Sequence, residues 1–158
     1  MPPAIPDLEI TQRLLLSAGV GAILGLEREW RHKNAGLRTQ ILIALGSTVF
    51  TLMSYELAAG VPGADPGRIA AQIVTGVGFL GAGTIMRTDS GIQGLTTAAT
   101  VWVNAAIGIA VGAGRYHLAL IGVAVTMAAL LILHPIEIAL DRRIRGPRIK
   151  TPDDATDG

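Results

Sequence analysis

The chain has 158 residues, half of them hydrophobic and only 16% charged, against roughly 25% charged in soluble domains, and its mean hydropathy is +0.49. Apolar residues this abundant, gathered in long runs rather than amphipathic stripes, cannot be covered by polar surface, which argues against a soluble enzyme and for a chain solvated largely by lipid. The formal net charge of +1 is uninformative by itself, the absence of cysteine removes disulfides, thiolate zinc sites and cysteine nucleophiles, and no joint aromatic and basic surface supports nucleic-acid binding.

Taken in chain order, the N-terminal stretch with Pro2, Pro3, Pro6, Asp7 and Glu9 lacks the basic region of a cleavable secretory signal, so the first apolar run is expected to stay in the mature protein. That run, Leu14 to Leu26, is short for a span, and Ile10 to Arg13 extend it if the arginine snorkels to the interface. The second run carries no charge from Thr39 to Tyr55, and Gly60, Pro62, Gly63, Pro66 and Gly67 then mark a loop. A third run covers Ile69 to Met86. Arg87 and Asp89 interrupt it, and the uncharged stretch Ser90 to Gly114 accommodates a turn around Gly91 and Gly94 plus a fourth span, closed by Arg115. The fifth run, Tyr116 to Ile136, leads into Glu137 and the charged segment Asp141 to Lys150.

The fold class that follows is all-α, a polytopic transmembrane bundle of about five helices. Residues 1–145 form the transmembrane domain, and residues 146–158 a short, charged, disordered cytoplasmic tail. Five spans put the termini on opposite sides. One side receives Arg28, Arg31, Lys33, Arg38, Arg87, Arg142, Arg143, Arg145, Arg148 and Lys150, and the other only Arg13, Arg68 and Arg115. By the positive-inside rule the N-terminus is outside and the C-terminus cytoplasmic.

A weak internal echo accompanies this layout. Gly36-Leu37-Arg38-Thr39 opens the second span and Gly94-Leu95-Thr96-Thr97 the fourth, each preceded by a Gly-Ala pair, Gly21-Ala22 and Gly81-Ala82. The echo reads either as parallel repeats or as chance.

Small residues recur four apart as Ser17, Gly21 and Gly25, and again as Gly108 and Gly112 one turn after Asn104. Such rows let helices approach closely, within the chain or across a homo-oligomer. Gly76, Gly78, Gly81 and Gly83 are denser than packing usually needs, and read as close packing or as a broken helix lining a site. Gln72 and Asn104 fall inside apolar runs, where an amide facing lipid is costly, so both are expected to face the bundle interior.

The sharpest polar feature is Glu27, Arg28, Glu29, Arg31, Lys33 and Arg38 at the cytoplasmic boundary. Glu27 and Arg31 can pair along a helix, whereas Glu27 and Glu29 point apart and would not share one ion. A magnesium or calcium site would draw on Glu27, Glu29, Asp89 and nearby carbonyls, unless Arg28, Arg38 and Arg87 neutralise those carboxylates. No catalytic constellation and no cofactor motif is present: His32, His117 and His134 lie far apart, without a nucleophile elbow, phosphate loop or paired-histidine motif.

Four stretches in this order resemble the MgtC/SapB family of bacterial membrane proteins: GLERE at Gly25 to Glu29, AGLRT at Ala35 to Thr39, QIVTGVGFLGAGTI at Gln72 to Ile85, and GLTTAATVWVNAAIGIAVGAG at Gly94 to Gly114. The resemblance implies a multi-pass inner-membrane protein tied to magnesium homeostasis, stress and virulence, regulatory rather than enzymatic. It further implies contact with another membrane complex, such as the F-type ATP synthase or a magnesium transporter; the alternative is a magnesium or other small-ion transporter or channel. Longer members carry a C-terminal domain resembling an ACT fold, which this sequence does not show. The matched positions of interest are Glu27, Arg28, Glu29, Arg38, Gln72, Gly76, Gly78, Gly81, Gly83, Thr96, Thr97 and Asn104.

Overall fold

A computed structural model describes residues 5–59, 61–89 and 91–145, and at 134, 137–139 and 141–145 it describes the backbone alone. The tail expected over 146–158 lies outside the described residues. Five helices carry the fold: α1 (Asp7–Trp30), α2 (Leu37–Ala58), α3 (Gly67–Ala82), α4 (Leu95–Gly112) and α5 (Tyr116–Arg145), with a two-stranded hairpin of β1 (Met86–Thr88) and β2 (Gly91–Gln93) between α3 and α4. α1, α2, α4 and the Tyr116–Leu133 part of α5 are each long and apolar enough to cross a bilayer.

The third apolar run ends earlier than its sequence suggests. α3 has 16 residues, a rise of about 24 Å against a hydrocarbon core of roughly 30 Å. It stops because the Thr84 hydroxyl donates to the Gly81 carbonyl at 2.8 Å, satisfying one of the helix's last acceptors. The chain then turns into the antiparallel hairpin, pairing Met86 with Gln93, Arg87 with Ile92 and Thr88 with Gly91. Of the turn expected around Gly91 and Gly94, Gly91 opens β2 and Gly94 caps α4, both at positive φ (119° and 90°). Gly94 is obligatory twice over, because a Cβ there would also run into the Thr84 carbonyl.

Side-chain contacts fix the helix directions. Gly25 meets Leu37 and Gly21 meets Gln40, so α2 runs back along α1. Asn104 reaches Gln40 and Gly108 meets Ala44, so α4 runs with α2. The Ser54 hydroxyl donates to the Pro66 carbonyl at 2.6 Å, which starts α3 at the far end of α2; Gly81 then lies against Ala98 in the first turn of α4. α3 thus runs antiparallel to both neighbours.

The small-residue rows are used within the chain. A Cβ on Gly108 would stand 2.6 Å from the Ala44 carbonyl oxygen, and one on Gly112 2.7 Å from the Thr51 Cβ. On Gly21 it would meet the Gln40 carbonyl oxygen at 2.8 Å, and on Gly25 the Leu37 Cα at 2.6 Å. These positions are therefore the contact surface of α1 and α4 on α2. The internal echo has a geometric counterpart, since Gly21 meets Gln40, four residues after Gly36, and Gly81 meets Ala98, four after Gly94.

A second packing centre joins α2, α3 and α4 through Ile43, Ile73, Val77, Val101 and Ala105. The compact unit built from these helices closes at Thr126, inside α5, and a second unit begins at Met127. The latter comprises the remaining helical residues to Arg145, with Pro135 inside the helix.

Candidate functional site

The polar residues on α1, α2 and α4 form a seam along their shared interface. At the end where α1 stops, the side chains of Glu27 and Arg28 are almost entirely buried, 5% and 4% exposed. Arg31 Nε lies 2.8 Å from Glu27 Oε1, and Arg28 Nη1 is 3.7 Å from Glu27 Oε2, so one buried carboxylate is held between two guanidiniums. Arg28 also crosses to α4, its Nη2 donating to Thr97 Oγ1 at 2.8 Å. The expected Glu27–Arg31 pairing is present, and Glu27 and Arg28 tie α1 to the first turn of α4, whereas Glu29, Lys33 and Arg38 are exposed.

Glu29 points elsewhere. Its Oε2 accepts the Leu37 backbone N–H at 3.1 Å, supplying a partner to the otherwise uncapped start of α2. A Cβ on Gly36 would collide with that carboxylate, so glycine at this position makes the cap feasible. Glu27 and Glu29 therefore serve different partners. Arg38 and Asp89 are both exposed, the latter in the hairpin turn. Among the described residues no group of three or more His, Asp or Glu is arranged to hold a metal ion.

One level deeper, Asn104 and Gln40 meet at 0% exposure. Asn104 Nδ2 donates at 2.7 Å both to the Gln40 carbonyl oxygen and to Gln40 Oε1. Asn104 Oδ1 and Gln40 Nε2 are left without hydrogen-bond partners, an arrangement that costs about 1–3 kcal/mol for each unsatisfied group. Further along, the Thr48 hydroxyl donates to the Gly108 carbonyl at 2.8 Å and lies 2.8 Å from Ser17 Oγ. Arg13 closes the seam at the opposite end. Its Nη1 donates to the Gly112 carbonyl at 2.5 Å and its Nε to Tyr116 Oη at 3.2 Å, while Nη2 pairs with Glu9. The side chain is only 12% exposed. The guanidinium is thus held by three acceptors at the level where α4 ends and α5 begins.

The other singled-out residues divide. Thr97 and Asn104 are in the seam, whereas Thr96 is exposed and offers its carbonyl to Thr100 Oγ1 at 2.7 Å. Gln72, expected to face the interior, is exposed and lines a groove between α2 and α3. Within the glycine-dense segment only Gly81 is closely packed, and Gly83 ends the helix; nothing lies within 4 Å of a Cβ built on Gly76 or Gly78. The helix is continuous through both, so the segment is neither a tight contact throughout nor a broken helix. Gln40 was missed in the sequence, although it satisfies the criterion that singled out Asn104, an amide inside an uncharged run.

Long apolar helices, glycine-mediated helix contacts and polar side chains turned toward one another define an α-helical, multi-pass membrane protein. The MgtC family pattern matches residues 14–139, which covers the groove and all of the seam except Arg13 and Glu9. The chain belongs to the MgtC family. It is 46% identical to YhiD of Escherichia coli K12 over 137 residues, covering 84% of this chain and 64% of that protein. It is 47% identical to Protein MgtC of Salmonella typhimurium LT2 over 120 residues (76% and 50%), and 42% identical to Protein MgtC of Brucella abortus 2308 over 122 residues (77% and 50%). The chain thus spans about half to two thirds of the length of these relatives. No solved structure matches it.

Proposed function

We propose that this chain is a regulatory protein of the bacterial inner membrane, linked to magnesium homeostasis and adaptation to stress or a host, that acts by contacting another membrane complex. Relatives named Protein MgtC support the assignment. The observation that carries the regulatory reading is the closure of the seam. Between α1, α2 and α4 side chains bond across the interfaces, Arg28 to Thr97 and Asn104 to Gln40, and the buried carboxylate, Glu27, lies between Arg28 and Arg31. An interface of this kind fixes a shape for a partner to read.

The partner is a membrane complex such as the F-type ATP synthase or a magnesium transporter. Affinity purification of the chain from crosslinked membranes is expected to return one such complex reproducibly, and recovery of the chain alone overturns the proposal. The distribution of Lys and Arg along the sequence, ten on one side and three on the other, supports an outside N-terminus. A cysteine installed at Lys33 should then react only with reagents admitted to the cytoplasm.

A transport reading is favoured by one observation, the buried donor and acceptor left over on Gln40 and Asn104, and by the printed name of YhiD, "Putative magnesium transporter". Liposomes loaded with a magnesium-sensitive dye separate the two readings. Flux through the wild-type chain that Asn104→Leu abolishes selects transport, and no flux above empty liposomes selects regulation.

A further inference from the structure

The second face of α2 is unlike the seam. Between α2 and α3, floored by Val101 of α4, runs a groove of about 830 Å³ whose walls are almost wholly apolar. Two glycines open it: Gly46 on α2 and Gly76 on α3 both line it, and a Cβ on either would have nothing within 4 Å. Along α2 the lining extends from Thr39 to Phe50, a rise of about 17 Å.

The stripe that α3 turns toward the groove changes character along its length. Gln72, Gly76 and Leu80 line the groove at successive turns, and Arg68 precedes Gln72 by one turn on the same face, next to the lining residue Ile69. Arg68 is exposed and makes no ion pair among the described residues, and the Gln72 amide is exposed. The stripe therefore reads cation, amide, bare backbone, alkyl, which is the order of phosphate, ester and hydrocarbon in a glycerophospholipid.

We propose that this groove is a binding site for one anionic glycerophospholipid, with its phosphate at Arg68, an ester carbonyl at the Gln72 amide and an acyl chain lying over Gly76 and Gly46. The charged end sets the preference for an anionic headgroup, since a zwitterionic lipid carries its own ammonium beside the phosphate. The inference is independent of the regulatory reading.

The test is native mass spectrometry of the full chain released from nanodiscs containing equal phosphatidylglycerol and phosphatidylethanolamine. The wild type is expected to retain one phosphatidylglycerol. Gly76→Leu fills the groove and is expected to lower the retained lipid about tenfold, equivalent to about 1.4 kcal/mol; because Gly76 is free of neighbours, the variant should keep its helicity and elution volume. Arg68→Ala is expected to keep a lipid but lose the preference between headgroups. Three results overturn the site: equal retention of both lipids by the wild type, unchanged retention by a folded Gly76→Leu, or a second copy or helical partner that dissociates in Gly76→Leu while lipid retention does not change.

Discussion

Helix α2 touches its neighbours in two opposite ways. Against α1 and α4 it meets Gly21, Gly25, Gly108 and Gly112, whose missing side chains let backbone approach backbone, and Thr48 and Asn104 bond across that interface. Toward α3, Gly46 and Gly76 are equally bare, yet no neighbour fills the space they leave, and a groove results. Glycine content alone does not separate these outcomes. The difference lies in what faces each glycine, a carbonyl of the adjacent helix in one case and another glycine-bearing wall in the other.

Substitutions that add the same atoms on both sides test this contrast most directly. Gly108→Leu is expected to have the largest effect, because even its Cβ overlaps the Ala44 carbonyl. We expect a loss exceeding the roughly 1–3 kcal/mol typical of overpacking, seen as aggregation or a collapsed thermal transition in detergent. Next comes Arg28→Met, which removes one of the two guanidiniums at the buried Glu27 and the link to Thr97. About 3 kcal/mol is expected, as for breaking one side of a buried ion pair, read as a lowered unfolding midpoint.

Asn104→Leu should cost about 1–3 kcal/mol by leaving Gln40 Oε1 without its donor. The double variant with Gln40→Leu should recover much of that loss, since removing both partners of a buried pair approaches neutrality; additive losses in the double-mutant cycle would show that the amides do not act as a pair. At the small end, Gly76→Ala is expected to leave stability unchanged or raise it by up to about 1 kcal/mol through helix propensity. A loss comparable to that of Gly108→Ala would erase the distinction between the two faces.

Much of the architecture could be read from the runs themselves. Lengths and charge breaks located the helices, and the spacing of Ser17, Gly21 and Gly25 identified a packing face, because four-residue periodicity is local information. Asn104 and the Glu27–Arg31 pair were legible on the same grounds. What escaped depends on distant partners. Arg13 looks like an interfacial arginine until Gly112 and Tyr116 come beside it, and Gln40, at the edge of its run, gains meaning only opposite Asn104. Gln72 carries the same signal as Asn104 yet faces the groove, since the direction an amide faces is set by which helix packs beside it. The hairpin escaped because its strands are three residues each, too short for alternation to register.

Arg13 also bears on the order in which the protein is made. Its acceptors on Gly112 and Tyr116 lie 99 and 103 positions downstream, so the ribosome delivers the guanidinium to the membrane long before it delivers what satisfies it. Arg13 stands in the second turn of α1, where an arginine costs less than the about 2.5–3.5 kcal/mol of a span's centre, and until α4 arrives Glu9 is its ion-pair partner within its own helix. The N-terminal turns of the first helix are thus settled last, although Gly21 and Gly25 already pack on α2, and a chain halted before Gly112 should hold those turns loosely.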